Sequence, residues 1–328
     1  MVLYKGDVFV KKESSWGTAV DPTAPTTAAI ELLGLDSEYE YGLENQITAV
    51  NPAAMAYPSE ISYHTAKARG KINFVYNSAL PFAIMMGAIA AKDPVEVAAP
   101  YTWTITQSGT PSPFTASCMM KGTNDKLAQI VGCYAKSLSF KMSQNEPVSG
   151  SLDIIGKNLD LNSPFTAPTT VTIDDATAWK PHEFSYSIGT ISAIDYITDL
   201  EFTIARGVDL GHGLAARTPS TAYAGKFEPI NGSISCYIPD SATANEIEQL
   251  VLGGTTITEA LVAKDIVIDK TYADTTADTA KITLSNAIFG DYSALFPLDT
   301  KMTYKFGFSA THATVLWEAP STVAASGW

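Results

Sequence analysis

Histidine, cysteine and paired carboxylates are the residue types that could carry chemistry in this chain, and their spacing decides what each could do. The four histidines are His64, His182, His212 and His312. None has a metal-ligating neighbour at i+4 or inside a cysteine cluster, as a zinc site requires. The three cysteines, Cys118, Cys133 and Cys236, are odd in number and widely spaced. They form no CxxC pair and read as buried free thiols of a chain made in a reducing cytoplasm. Asp174-Asp175 and the run from Asp265 to Asp269 offer paired carboxylates, which serve glycosidases or calcium. Both lack flanking ligands and the glycine turn of a calcium loop, so they read as solvated turns. Gly211-His212-Gly213 has no second glycine at a strand-to-helix step and reads as a loop tip, not a nucleotide motif. No Gly-x-Ser-x-Gly elbow occurs, and Asn231-Gly232-Ser233, without a secretory leader, is a turn and not a glycosylation site. No catalytic residue, metal ligand or cofactor is expected.

What remains is composition and pattern. The chain has 328 residues, which suits two domains of ordinary size. Only 17% are charged, against about 25% in average proteins. A surface poor in charge is tolerated where a chain is buried among neighbours; a Thr-rich secreted β-protein shares the trait. The net charge of −13 excludes wrapping of nucleic acid, which needs clustered Lys and Arg. It does not exclude standing near DNA, since a negative wall repels phosphates. The most apolar stretch, Leu80 to Ala91, is too short to cross a membrane and contains Pro81 and Gly87.

Period-two alternation dominates the chain. Lys71-Ile72-Asn73-Phe74-Val75-Tyr76, Ser137 to Met142, Ser149 to Ile154, Leu200 to Ile204 and Met302 to Phe308 each place apolar residues on one face and polar residues on the other. Half-buried antiparallel sheets look like this. Two segments read as helices: Ser78 to Ala91, apolar all round, and Thr243 to Leu252, opened by a capping box and stopped at Gly253-Gly254. The order repeats. In each half a long polar loop (Leu43 to Arg69, Ala205 to Phe227) leads to a Gly-strand, a short helix and an extended hairpin region. The expected division is an N-terminal arm over 1–30, a first domain over 31–161, a Pro-rich linker over 162–181, a second domain over 182–319 and a loose tail over 320–328.

Val10-Lys11-Lys12-Glu13-Ser14-Ser15-Trp16-Gly17-Thr18-Ala19 resembles the opening of the tail tube proteins of long-tailed phages. Gly70 to Gly87 looks like the strand-then-helix step of that family. Gly132 to Phe140, followed by Pro147 to Lys157, looks like its hairpin ending in Gly156-Lys157. The resemblance implies an all-β fold: two tandem β-sandwich or split-barrel domains with one short helix each, whose sheets join between subunits into a ring-shaped barrel. Family members with one such domain form six-fold rings. Two fused copies imply trimers with pseudo-six-fold symmetry; if the repeat is mistaken, hexamers.

The resemblance further implies a structural virion protein, not an enzyme, whose rings stack into a hollow tube that conducts viral DNA to the host. Its partners would be itself, the tape measure protein, the tail terminator and the baseplate or tip proteins. DNA would pass without specific binding, no membrane is involved, and assembly takes place in the host cytoplasm. The long loops become candidates for contacts between rings, through Pro52, Met55, Tyr57, Tyr63, His64, His212, Leu214 and Arg217; for the two histidines a solvated loop position is the favoured reading. The polar strand rows become candidates for the lumen: Lys71, Asn73, Ser139, Lys141, Ser149, Ser151, Asp153, Glu201, Thr203, Ser233 and Ser235. Alternation does not say whether they face the lumen or bulk water. Other readings are the inner tube of a contractile tail, a tail terminator, or a carbohydrate-binding adhesive domain. The last is weakened by the scatter of Trp16, Trp103, Trp179, Trp317 and Trp328 along the chain.

Overall fold

The computed structural model describes residues 6–20, 30–32, 34–46, 62–91, 101–120, 126–160, 178–189, 191, 196–213, 218–237, 249, 263–270, 279–295 and 303–319. The first half contains β1 (Gly6–Lys12), β2 (Ile30–Leu32), β3 (Gly34–Gln46), β4 (Ser62–Val75), the helix α1 (Leu80–Met86), β5 (Gly87–Ala91), β6 (Tyr101–Gln107), β7 (Phe114–Met120), β8 (Lys126–Ser143), β9 (Ser149–Gly156) and β10 (Asn158–Asp160). The second contains β11 (Phe184–Ile188), β12 (Ile197–Gly211), β13 (Thr221–Phe227), β14 (Ile230–Tyr237), β15 (Lys264–Lys270), β16 (Thr279–Leu295), β17 (Thr303–Ala310) and β18 (His312–Ala319). The alternating segments fall inside strands, with Tyr76 just past the end of β4 and Met302 outside the described residues, because a strand with one wetted face needs that period.

One continuous antiparallel layer runs β3-β4-β9-β8-β12-β14-β17-β16. Its inward face is apolar and buried: Ile72, Phe74, Leu138, Phe140, Leu152, Leu200, Phe202, Ile234, Phe306 and Phe308. A second layer covers that face. One part joins β2, β1, β7, the start of β8 and β10. The other joins β11, β15, the start of β16, β18, β6 and β5. Strands β8 and β16 are long enough to serve both layers, changing partners between Cys133 and Tyr134 and between Ala287 and Ile288, with irregular registers beside both changes; bulges of this kind bend a strand.

The two halves are wired alike. Numbering the first-layer strands of each half in chain order, β3, β4, β8 and β9 lie side by side as 1-2-4-3, and so do β12, β14, β16 and β17. In the second layer, the chain β1-β7-β8-β10 of the first half matches β11-β15-β16-β18 of the second. The halves join where β8 pairs with β12, Ser137↔Ala205 through Ser143↔Asp199.

Four expectations change on contact with the structure. The helix read over 78–91 stops at Met86. Gly87 sits at φ 79° and its N–H bonds back to Ala83 O, after which Gly87–Ala91 pairs with β6. An all-apolar run fits a buried helix and a buried strand equally well. A Gly87→Ala chain is expected to lose about 1–2 kcal/mol, since the new Cβ would also lie 3.0 Å from Pro111 Cα; a chemical denaturation midpoint checks it. The opening segment is no free arm, because β1 pairs with β7 along its length. The two long loops are strands at both their ends where they are described: β3 and β4 pair out to Gln46↔Ser62, and β12 and β13 out to Gly211↔Thr221. The end of the linker belongs to the core, as Trp179 is fully buried, stacks on Tyr76 at 5.6 Å and exchanges backbone bonds with Tyr76 and Val148. The second expected helix, 243–252, lies outside the described residues apart from Gln249.

Candidate assembly surface

All eleven polar residues singled out from alternation fall on one face of the continuous layer, and register sets them in rows. Lys71 faces Asp153, which faces Ser137. Asn73, Ser151, Ser139, Thr203 and Asn231 form the next row, continued by Ser309. Ser149, Lys141, Glu201 and Ser233 form the third, and Ser143, Asp199, Ser235 and Lys305 the fourth. The rows cross the joint between halves without a break.

Eight polar side chains of this face bond one another in pairs. Ser137 Oγ donates to Asp153 Oδ2 at 2.7 Å, Ser233 Oγ to Glu201 Oε1 at 2.9 Å and Ser309 Oγ to Asn231 Oδ1 at 2.6 Å. Ser139 and Ser151 share a hydroxyl–hydroxyl bond of 2.9 Å, and Ser151 N–H donates to Ser139 Oγ at 2.8 Å. Charges alternate: Lys71 stands opposite Asp153 and Lys141 opposite Glu201, while Asp199 and Lys305 flank Ser235. The acidic excess of the whole chain is therefore not concentrated on these rows. Ile288 interrupts the face as an exposed apolar side chain.

The two-stranded arms β3–β4 and β12–β13 leave the same end of the layer. Beyond Ala68↔Gly156 and Ser137↔Ala205 the strands of each arm pair only with each other among the described residues. Of the candidate ring-to-ring contacts, Tyr63 and His64 lie near the tip of the first arm, by backbone position, and His212 at the tip of the second. Pro52, Met55, Tyr57, Leu214 and Arg217 lie outside the described residues. The root of the second arm is anchored by Arg206, whose buried guanidinium donates to Gly225 O and lies 4.4 Å from the Phe227 ring. Burial lowers the Arg206 pKa. Tyr223 projects from this arm, 63% exposed. At the opposite end of the layer, beside the joint, a groove of about 640 Å³ opens between the β8–β9 turn and the stretch from Lys180 to Tyr186.

Sequence reading missed what its most distinctive string does. Glu13 is buried, and its carboxylate accepts from Gly17 N–H, Gly132 N–H and Thr115 Oγ1, each at 2.7 Å. Trp16 Nε1 donates to Gly132 O at 2.8 Å, and Lys157 Nζ lies 4.9 Å from the Trp16 ring. Gly17 and Gly132 both sit at positive φ, where a Cβ would run into Lys157 or Trp16. The opening string, Gly132 and Gly156-Lys157 thus form one lock that fastens β1 onto the first half. The signal was a lone glutamate beside Trp-Gly in an otherwise small-residue stretch.

The groups able to do chemistry are dispersed. Cys133 and Cys236 are buried free thiols, and burial pushes the Cys133 thiol well up and the Cys236 thiol to about 12. His182 is exposed in a short turn, and His312 Nδ1 lies 2.9 Å from Thr311 Oγ1. Among the described residues no three His, Cys, Asp or Glu side chains are grouped to hold a metal ion, and no helix is long and apolar enough to cross a membrane.

Among the described residues the layer ends on β3, paired only with β4, and on the end of β16, paired only with β17; edges of this kind can take a further strand. The phage tail tube protein family matches residues 5–315, and the chain belongs to that family. It is a structural part of the virion tail, and its class assembles with copies of itself into a tube. No curated protein matches it significantly.

Proposed function

We propose that three copies of this chain close into a ring and that the rings stack into the hollow tail tube of a long-tailed, siphovirus-like virus of bacteria or archaea. The observation that carries this reading is the joint of β8 with β12. It already places two four-stranded units of the same 1-2-4-3 order side by side in one chain. The units would be domains over 31–161 and 182–319, and six of them, two per chain, make one ring. A heterologous contact that repeats in this way closes when its rotation allows, and closure removes the bare edges that would otherwise invite aggregation.

The polar face lines the channel. Its hydroxyls bond one another or neighbouring carboxylate and amide oxygens, and its lysines stand beside carboxylates instead of clustering, so phosphates meet no cationic patch and DNA slides without sticking. The arms reach from one rim toward the groove on the rim of the next ring, which supports head-to-tail stacking. Assembly takes place in the host cytoplasm, with the tape measure protein inside the tube and terminator and tip proteins at its ends.

Electron microscopy of the purified chain should display hollow rings or tubes, and a persistent monomer at high concentration would count against the proposal. Replacing Asp153, Asp199 and Glu201 together by Lys should leave tubes intact yet make them retain short duplex DNA in co-sedimentation at low salt. Retained duplex that added nuclease degrades as fast as free DNA would place this face on the outer surface of the tube.

A further inference from the structure

The internal joint between the halves is a template for the joint between chains. Among the described residues β3 pairs along one edge only, with β4, and the end of β16 (from Ile288) pairs only with β17. These are strand 1 of the first unit and strand 3 of the second. The internal joint pairs strand 3 of the first unit with strand 1 of the second. The two bare edges are therefore the kinds that the chain already joins.

Equivalent positions follow from the registers. Tyr39↔Gly70 corresponds to Phe202↔Gly232, and Glu40↔Arg69 to Thr203↔Asn231. Both first strands also slip register near their start, after Gly34 and after Ile197. On the other side, Gly70↔Ile154 corresponds to Gly232↔Phe308, and Ser139↔Ser151 to Ser293↔Lys305. Phe140↔Gly150 corresponds to Ala294↔Tyr304. Carrying the internal pairs Ser139↔Thr203, Phe140↔Phe202 and Lys141↔Glu201 through these equivalences yields one register.

We infer that β16 of one chain adds antiparallel to β3 of the next with Ser293 opposite Glu40, Ala294 opposite Tyr39 and Leu295 opposite Glu38. The inference rests on the ring reading and specifies it. Backbone hydrogen bonding between edges supplies the contact, as in strand addition generally, and a shift by one residue would turn every side chain to the wrong layer.

Directly opposed residues of an antiparallel pair have Cα atoms within disulfide range. A Glu40→Cys, Ser293→Cys chain, assembled and mildly oxidised, should give covalent ladders of chains on denaturing gels. Each single substitution alone should give none, nor should Glu44→Cys with Ser293→Cys, which is four residues out of register. Ser139→Cys with Thr203→Cys, the template pair, should close within one chain and reports that the joint is folded. Ladders from the matched pair support the register whatever the largest band. Rings that form but crosslink only through the shifted pair, or through neither, overturn the register and leave the ring reading standing. A chain that closes its template pair yet stays monomeric overturns both.

Discussion

A Phe202→Ala chain is expected to lose about 3–5 kcal/mol of stability, the cost of deleting a buried phenylalanine and leaving a cavity. Phe202 is the second-half member of an aromatic cluster that straddles the joint. Its ring stacks on Phe140 at 5.0 Å and on Phe82 of α1 at 6.4 Å. Phe82 reaches Phe140 and Tyr76, and Tyr76 stacks on Trp179, which meets Phe184 edge-on. The helix α1, buried at every residue, thus acts as a clamp over the seam where β8 meets β12. A denaturant titration following tryptophan emission should register the loss. A cost below about 1 kcal/mol, the range of tolerated hydrophobic swaps, would mean that the halves are held by their strands and not by the cluster.

Glu13→Ala is expected to cost about 3 kcal/mol or more, since each buried donor left without an acceptor costs about 1–3 kcal/mol. The Gly17 N–H sits in a turn and the Gly132 N–H inside strand β8, both at positive φ, so neither backbone donor can swing toward water, whereas the Thr115 hydroxyl can rotate. Glu13→Gln should recover part of the loss, because one oxygen remains while the new amide N–H₂ meets a backbone donor. Hydrogen exchange at the Gly132 amide is the direct readout, expected to speed up in the order parent, Gln, Ala. Unchanged exchange in the Ala variant would mean that β1 is held by its pairing with β7 alone.

The strands and their buried faces were legible because period-two alternation is a local signal, and the rows from Lys71 to Ser235 could be named for the same reason. Which strands lie next to each other was not legible. The pairing of β8 with β12 joins residues some sixty positions apart, and nothing in Ser137 to Met142 marks it as an edge that takes another unit. The arms were read as loops because their apolar residues are sparse: in the second, Val208 and Leu210 alone alternate before Gly211, too short a run to identify a strand. Trp179 was assigned to a linker on the strength of neighbouring prolines, since burial of one aromatic in irregular chain leaves no periodic trace. The Glu13 lock shows the converse: the string Trp16-Gly17 stood out, but its partners Gly132 and Lys157 are distant in sequence and joined to it only by the fold.

The measurement that tests the central claim most directly is a cryo-electron-microscopy map of the assembled tube. The account predicts three chains per ring, an unbroken wall in which each β16 meets the β3 of its neighbour, and the rows of Lys71, Ser139, Ser151, Thr203 and Ser233 facing the channel. Six chains per ring, or those rows turned to the outer surface, would contradict it.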